Sequence, residues 1–132
     1  MDIEIKEYRE PGYAPVIDFE GWRVAILNDI DELEVKNLKT MQKHLQSDEV
    51  FVLLKGSVTL FTAGNGENIG KIESVTLEMG KCYNVKKGVW HTHTLAENSS
   101  VLIVENQNTC DDNSPTVSLT EAQILELRDC VR

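Results

Sequence analysis

Three histidines are the side chains in this sequence best suited to chemistry: His44, His91 and His93. His91 and His93 are two apart, so on an extended strand both project from one face. His44 and Glu49 are five apart across the polar stretch Leu45-Gln46-Ser47-Asp48. A turn there sets both at the ends of adjacent antiparallel strands, where they can converge. Two or three imidazoles with one carboxylate suit a divalent transition metal such as Zn, Fe, Mn, Ni or Cu. Without a metal, the same imidazoles act as acid and base near neutral pH. Histidines on strands also occur simply as hydrogen-bonded structural residues, and spacing alone leaves all three readings open.

Other side chains have a plain reading beside a sharper one. Tyr83 and Trp90 can line a barrel mouth and stack on a ring, or pack in the core or rim. Trp22 reads as packing near the N-terminal segment. Asp48 either orients His44 or is a solvated turn carboxylate. Cys82 has no base in its sequence neighbourhood, so it reads as a small buried hydrophobe rather than a nucleophile. Lys55, Lys86 and Lys87 fall at turns, where solvation is the default and steering of anions the alternative.

These residues must be positioned by strands. The clearest is Glu49-Val50-Phe51-Val52-Leu53-Leu54, stopped by Lys55-Gly56 and resumed over 57–62. Alternation puts Glu49, Phe51 and Leu53 on one face and Val50, Val52 and Leu54 on the other. Both faces are apolar, so this strand expects cover on both sides, from the same chain or from a second subunit. Phe51, Leu53, Leu60 and Val104 are the expected inward apolar residues. Further strands are expected over 22–27, the second half of 35–44, 69–77, 82–85, 89–95 and 101–105. Gly64-Asn65-Gly66-Glu67 reads as a hairpin turn. Short strands at this spacing mean an all-β sandwich or barrel.

The ends differ. The stretch to Glu20 holds Pro11 and Pro15 and reads as an arm without regular structure. Ser118-Leu119-Thr120-Glu121 matches a capping box with Ser118 as N-cap, so a short helix is expected over about 119–131, with Arg128 and Arg132 near its end. It reads as a simple cap on the open end of the barrel.

The chain has 132 residues, 41% hydrophobic and 27% charged, which is the composition of one globular domain. Thirteen basic and 22 acidic residues give a net charge of −9, which argues against nucleic acid and against an anionic membrane surface. No apolar run reaches the roughly 20 residues of a membrane span, and Met1-Asp2-Ile3-Glu4 does not open a secretory signal. Three cysteines at scattered spacing make no disulfide framework, so a cytoplasmic setting is expected.

Two segments together resemble the two motifs of the cupin superfamily. The first motif has a His-x-His pair, a Glu, six residues and a Gly; here His44-Leu45-Gln46, Glu49 and Gly56 stand in those places. The second has a Gly, five residues, Pro-x-Gly, two residues and a His; here it reads Gly80, five residues, Lys86-Lys87-Gly88, Val89-Trp90 and His91. The pair is reduced to one histidine, the spacing to Glu49 is one short, and the motif proline is Lys86. The likeness covers roughly Val35 to Glu105. It implies a single cupin-type double-stranded β-helix, or jelly-roll barrel, with a core over about 22–106, an N-terminal arm and the C-terminal helix. It implies a metal set of His44, Glu49 and His91, holding Zn, Fe, Mn or Ni, with Gln46 as a fourth ligand or water anchor. His93 either ligates, meets a bound molecule or is structural; Phe51, Tyr83 and Trp90 are pocket candidates. The functions implied are a small-molecule enzyme of isomerase, lyase or dioxygenase type, or a metal-free binding or sensor module, with a homodimer expected in either case.

Overall fold

The computed structural model describes residues 2–131; Met1 and Arg132, including the expected cation at the helix end, lie outside the described residues. Its ten strands are β1 (Gly12–Phe19), β2 (Trp22–Asn28), β3 (Thr40–Gln42), β4 (Glu49–Lys55), β5 (Val58–Thr62), β6 (Glu73–Thr76), β7 (Tyr83–Val85), β8 (His91–Leu95), β9 (Ser100–Asn106) and β10 (Thr116–Ser118), followed by the helix α1 (Glu121–Asp129). They make two five-stranded sheets, β1-β2-β9-β4-β7 and β10-β3-β8-β5-β6, in which every pairing is antiparallel. This is the all-β jelly-roll architecture expected.

Period-two patterning builds the interior. Glu49, Phe51 and Leu53 of β4 point inward and are buried, whereas Leu54 is 41% exposed. Ala25 and Leu27 of β2, Leu60 of β5 and Val101 and Ile103 of β9 meet them in one cluster between the sheets. Val104 has the opposite parity. It pairs with Val24 and Val50 on the outer face of the first sheet, and Ile103 takes the inward place expected of it. In that outer face Ile17, Val24, Val104 and Val50 form one cross-strand row, and Ala14, Ile26, Leu102 and Val52 the next.

The second sheet is covered on both sides. Phe61, Trp90, Met41 and Ile72 form a separate buried cluster with Leu119 and Leu127 of the C-terminal segment. The C-terminal segment therefore covers the outer face of the second sheet rather than an open end of the barrel, and the helix starts two residues later than its capping motif suggested. Ser118 is committed to β10, opposite Thr40. Thr120 is the N-cap: its Oγ1 accepts from the Gln123 N–H at 3.2 Å, and Gln123 Oε1 accepts from the Thr120 N–H at 2.9 Å.

Two other expectations are corrected. The segment before Glu20 is an arm only to Pro11, since residues 12–19 are β1, an edge strand hydrogen-bonded to β2. It tolerates Pro15 because its register shifts between Pro15 and Ile17 and an edge leaves N–H groups unneeded. Gly64–Glu67 is not a tight hairpin. The Gly64 carbonyl accepts from the Trp90 N–H and the Gly66 carbonyl from the indole Nε1–H, so the chain loops around Trp90 and β6 starts only at Glu73.

The turn after β4 needs glycine. Gly56 has φ +80°, and a Cβ there would lie 2.2 Å from Ser99 Oγ and 2.7 Å from Ser99 Cα. Gly56→Ala is expected to destabilise by about 3 kcal/mol, from backbone strain plus that clash. The check is a lower urea midpoint with an unchanged slope.

Candidate metal centre

Three chain segments bring the site together. Glu49 opens β4 and His91 opens β8, on facing sheets. His44 lies between β3 and β4, where its carbonyl accepts from the Gly88 N–H at 2.8 Å. That bond ties the His44 loop to the turn that precedes His91, and Gly88 makes the turn with φ +81°. The three side chains are buried, and His44, Glu49 and His91 each offer a ligand atom within 4.8 Å of the others.

His44 Nε2 lies 3.2 Å, and His91 Nε2 2.9 Å, from the same oxygen, Glu49 Oε1. Those separations suit neighbouring ligands of one ion. Bonds of about 2.1 Å put ligand atoms roughly 3.0 Å apart at right angles and roughly 3.4 Å apart tetrahedrally. His91 is the decisive member. Its Nδ1 faces the Val89 carbonyl at 2.9 Å, which only accepts, so Nδ1 carries the proton and donates. Its Nε2 faces a carboxylate, which also only accepts. A neutral ring would aim a lone pair at a negative oxygen, so either a second proton or a cation belongs between them.

His44 is wired to suit the same end. Its Nδ1 lies 2.7 Å from Ser114 Oγ, and that hydroxyl is 3.1 Å from Asn113 Oδ1. Asn113 Oδ1 accepts from the Cys110 N–H, so the amide is oriented as an acceptor. When the hydroxyl donates to Asn113, it accepts from His44 Nδ1–H and leaves Nε2 free as a ligand. A serine donating to Asn113 is not an activated nucleophile, so Ser114, His44 and Glu49 do not make an acyl-transfer triad.

Electrostatics fit a cation. Burial alone would lift the Glu49 carboxyl, but hydrogen bonds to His44 and His91 and their charge outweigh it and hold Glu49 well below the usual carboxylate range. Burial would lower His91, yet the hydrogen bond and charge of Glu49 raise it. Glu105 stands opposite Glu49 on β9 and opposite Arg23 on β2, making a charged row across three strands. Burial, together with the Glu49 charge, raises Glu105, opposed by the hydrogen bond from Tyr13. Arg23 reaches Glu105 at 3.7 Å. Tyr13, Arg23, Glu105 and Ser114 are not among the site residues expected from the sequence. A signal existed for two of them: Glu105 shares the inward parity of Val101 and Ile103, and Arg23 that of Ala25 and Leu27.

The remaining expected residues fall in different places. His93 lies beside the cluster, not in the ligand group. Its ring meets Phe51 at 5.4 Å, its Nδ1 is buried without a hydrogen-bond partner, and burial pushes it down to about 4, so the ring is neutral at pH 7. Gln46 points away: it is exposed and its Oε1 accepts from Asn108. Gln42 stands inside instead, two residues before His44 and paired with His91, where strand parity puts the partner of His44. Tyr83 packs against the core between the sheets with its hydroxyl bound to the Glu78 N–H, and Trp90 belongs to the second cluster. Asp48 clamps the Lys87 N–H and the Asn84 amide rather than His44. Cys82 is exposed, not buried. A cavity of about 370 Å³ opens over the cluster, with His93, Leu27, Leu33 and Ile103 in its wall. A larger groove of about 880 Å³, past Thr59 and Glu97 at the far end of the strands, includes no imidazole, so its size does not make it the site of chemistry.

No protein-family model matches the chain, and no curated protein does. Solved structures match in fold. A cupin-2 domain protein from Shewanella frigidimarina superposes with a TM-score of 0.54 over 76% of this chain and 85% of its own, at 18% identity. Hydroquinone 1,2-dioxygenase from Sphingomonas sp. TTNP3, solved with 4-hydroxybenzoate bound, gives 0.58 over 75% of this chain and 68% of its own, at 10% identity. Iron(II) HppE gives 0.53 over 72% of this chain and 50% of its own, at 17% identity. The chain has the cupin fold. Its structural neighbours include an iron(II) protein and a dioxygenase, and it carries a buried His-Glu-His group of its own.

Proposed function

We propose that this chain holds a divalent first-row metal through His44 Nε2, His91 Nε2 and Glu49, and uses it on a small molecule bound in the cavity above. The observation that carries the reading is His91, whose two nitrogens both face acceptors. Two imidazoles and one carboxylate fit Zn, Fe, Mn or Ni, and leave coordination positions open, as catalytic sites do and structural sites do not. When bound, such an ion supplies a Lewis acid that polarises an oxygen of the ligand. The chain's own groups do the rest. Ser114 and Val89 fix the rings, Leu27, Leu33 and Ile103 exclude water, and neutral His93 offers the bound molecule a hydrogen bond. The reaction is of isomerase, lyase or dioxygenase type.

A second reading has one observation in its favour: an imidazolium at His91 satisfies both acceptors without metal, which suits a binding or sensor module. The two separate on adding Mn, Fe(II), Ni or Zn to metal-stripped protein. Metal at a hundred times its dissociation constant stabilises by about 2.7 kcal/mol, a rise of roughly 8 °C in melting temperature. No rise with any of the four ions leaves the metal-free module. Ser114→Ala is expected to weaken the metal 10- to 100-fold, by releasing the ring, with little change in metal-free stability. Competition against a chelating dye reads that loss.

The cellular setting we infer is cytoplasmic, supported by three unpaired cysteines. No helix among the described residues is long and apolar enough to cross a membrane. The macromolecular partner is a second copy of the chain, in keeping with the two apolar faces of β4.

A further inference from the structure

We propose that Asn65 is a site of self-modification: the Gly66 amide nitrogen attacks the Asn65 side chain, and the ageing chain carries aspartate and isoaspartate there. Nine asparagines occur in the sequence, and only Asn65 is followed by glycine. The structure leaves both reacting groups free. Asn65 and Gly66 are exposed in a bend of the loop around Trp90. Among the described residues, the Asn65 side chain makes no hydrogen bond and the Gly66 N–H donates none. The two asparagines followed by serine, Asn98 and Asn113, differ. The Ser99 N–H donates to the Ala96 carbonyl at 3.1 Å and the Ser114 N–H to the Asp111 carbonyl at 3.3 Å, so both nitrogens are engaged. The fold does not require glycine at 66 either, since its φ is not positive and a Cβ there would meet only the Asn68 carbonyl, at 3.6 Å.

The chemistry needs only water. The Gly66 nitrogen forms a bond to Asn65 Cγ, the Cγ–Nδ2 bond breaks, and ammonia leaves with the proton that the Gly66 nitrogen gives up. The resulting succinimide takes up water at either of its carbonyls. Cleavage of the new bond to Cγ leaves aspartate. Cleavage of the original peptide bond leaves isoaspartate, in which the main chain runs through Cβ and Cγ. Glycine favours the attack because no side chain shields its nitrogen and its backbone is the least restricted. Lys43 assists. Its Nζ donates to the Gly66 carbonyl at 3.2 Å, which sets a positive charge beside the residue whose nitrogen loses its proton.

The product matters because this stretch holds Trp90. The Gly64 carbonyl accepts from the Trp90 N–H at 2.9 Å, and the Gly66 carbonyl accepts from the indole Nε1–H at 3.0 Å. Isoaspartate lengthens the main chain by one carbon between those two anchors and strains both bonds. Trp90 is buried with Phe61 and Leu127 and directly precedes His91. Lys43, with its Nζ 4.5 Å from the centre of the Trp90 ring, directly precedes His44. The change at Asn65 therefore reaches the segments that carry two of the buried imidazoles, and it adds one negative charge to a chain already at −9.

Incubation of the folded full chain at mildly alkaline pH, followed by tryptic mapping, tests this. Trypsin releases residues 56–71 as one peptide, and its fragment masses separate Asn65 from Asn68. Asn65 is expected to convert before any other asparagine, to a mixture of aspartate and isoaspartate, with release of ammonia. Gly66→Val is expected to slow the conversion at least about tenfold by covering the nitrogen and stiffening the backbone. Fresh Asn65→Asp supplies the charge on a normal main chain, so it is expected to keep the urea midpoint of the unmodified protein, whereas the isoaspartate form falls below it. An Asn65 that stays intact while free peptide 56–71 converts fully overturns the proposal, as does an equal rate in Gly66→Val. Earlier conversion at Asn98 or Asn113 overturns the selection by free nitrogen. An isoaspartate form with the midpoint of Asn65→Asp overturns the effect on Trp90.

Discussion

Glu49→Gln is expected to abolish metal binding in practical terms, with a loss of at least about a hundredfold, or 2.7 kcal/mol. Both imidazoles converge on one carboxylate oxygen, so Gln removes the negative charge that offsets the ion and offers an amide in its place. The shape of the side chain is kept, so the barrel persists. The variant also changes the acid response of the metal-free protein. Glu49 is held well below its ordinary 4.5 in the folded state. Its contribution to stability is therefore full above 4.5 and is lost as pH falls below it. His91 has the opposite sign. Raised above 6.5, its contribution is full below 6.5 and fades as pH rises through the raised value. Both contributions depend on the pair, and both should vanish in Glu49→Gln. Metal titration by calorimetry, with urea unfolding at several pH values, checks the two halves together.

His93→Phe is expected to remove most of the acid sensitivity between pH 6.5 and about 4. The ring is packed on Phe51 with Nδ1 unbonded, and burial lowers it from 6.5 to about 4. The unfolded chain takes up a proton as pH falls through 6.5, and the folded chain does not until about 4. Stability is thus full above 6.5 and is lost across that window, by about 3 kcal/mol in all. His91 contributes a constant amount over the same range, Glu49 acts only at its lower end, and Glu105, raised above 4.5, acts with the opposite sign, so the loss of stability toward acid there belongs to His93. Phenylalanine keeps the aromatic contact and cannot be protonated, so the variant should show no fall in stability from pH 6.5 to 5, and a slight rise where Glu105 takes up its proton. An unchanged slope in the variant would place the proton uptake elsewhere.

Strand parity is the part of this molecule that its sequence states openly. Glu49-Val50-Phe51-Val52-Leu53 alternates without interruption, and the structure follows it residue for residue. The same rule, applied to β9, would have turned Val104 outward and brought Glu105 in. Gln42 and Gln46 are both two residues from His44, so parity does not separate them; Gln42 lies within β3 opposite His91, and Gln46 falls in the loop beyond it. Loops obey other rules. Ser114 meets His44 across seventy residues because Pro115 and Asn113 carbonyls accept from the Lys43 and Leu45 N–H groups, and no local pattern announces such pairing. The capping residue was misplaced for a similar reason, since Ser118 and Thr120 both qualify locally and the pairing of β10 decides between them.

Anomalous diffraction from crystals grown with Mn or Zn tests the central claim most directly. The account predicts one strong peak about 2.0 to 2.3 Å from His44 Nε2, His91 Nε2 and a Glu49 oxygen, absent in Glu49→Gln. Crystals of metal-saturated protein with no peak there, or with the ion on surface carboxylates and His91 still against Glu49, would contradict it.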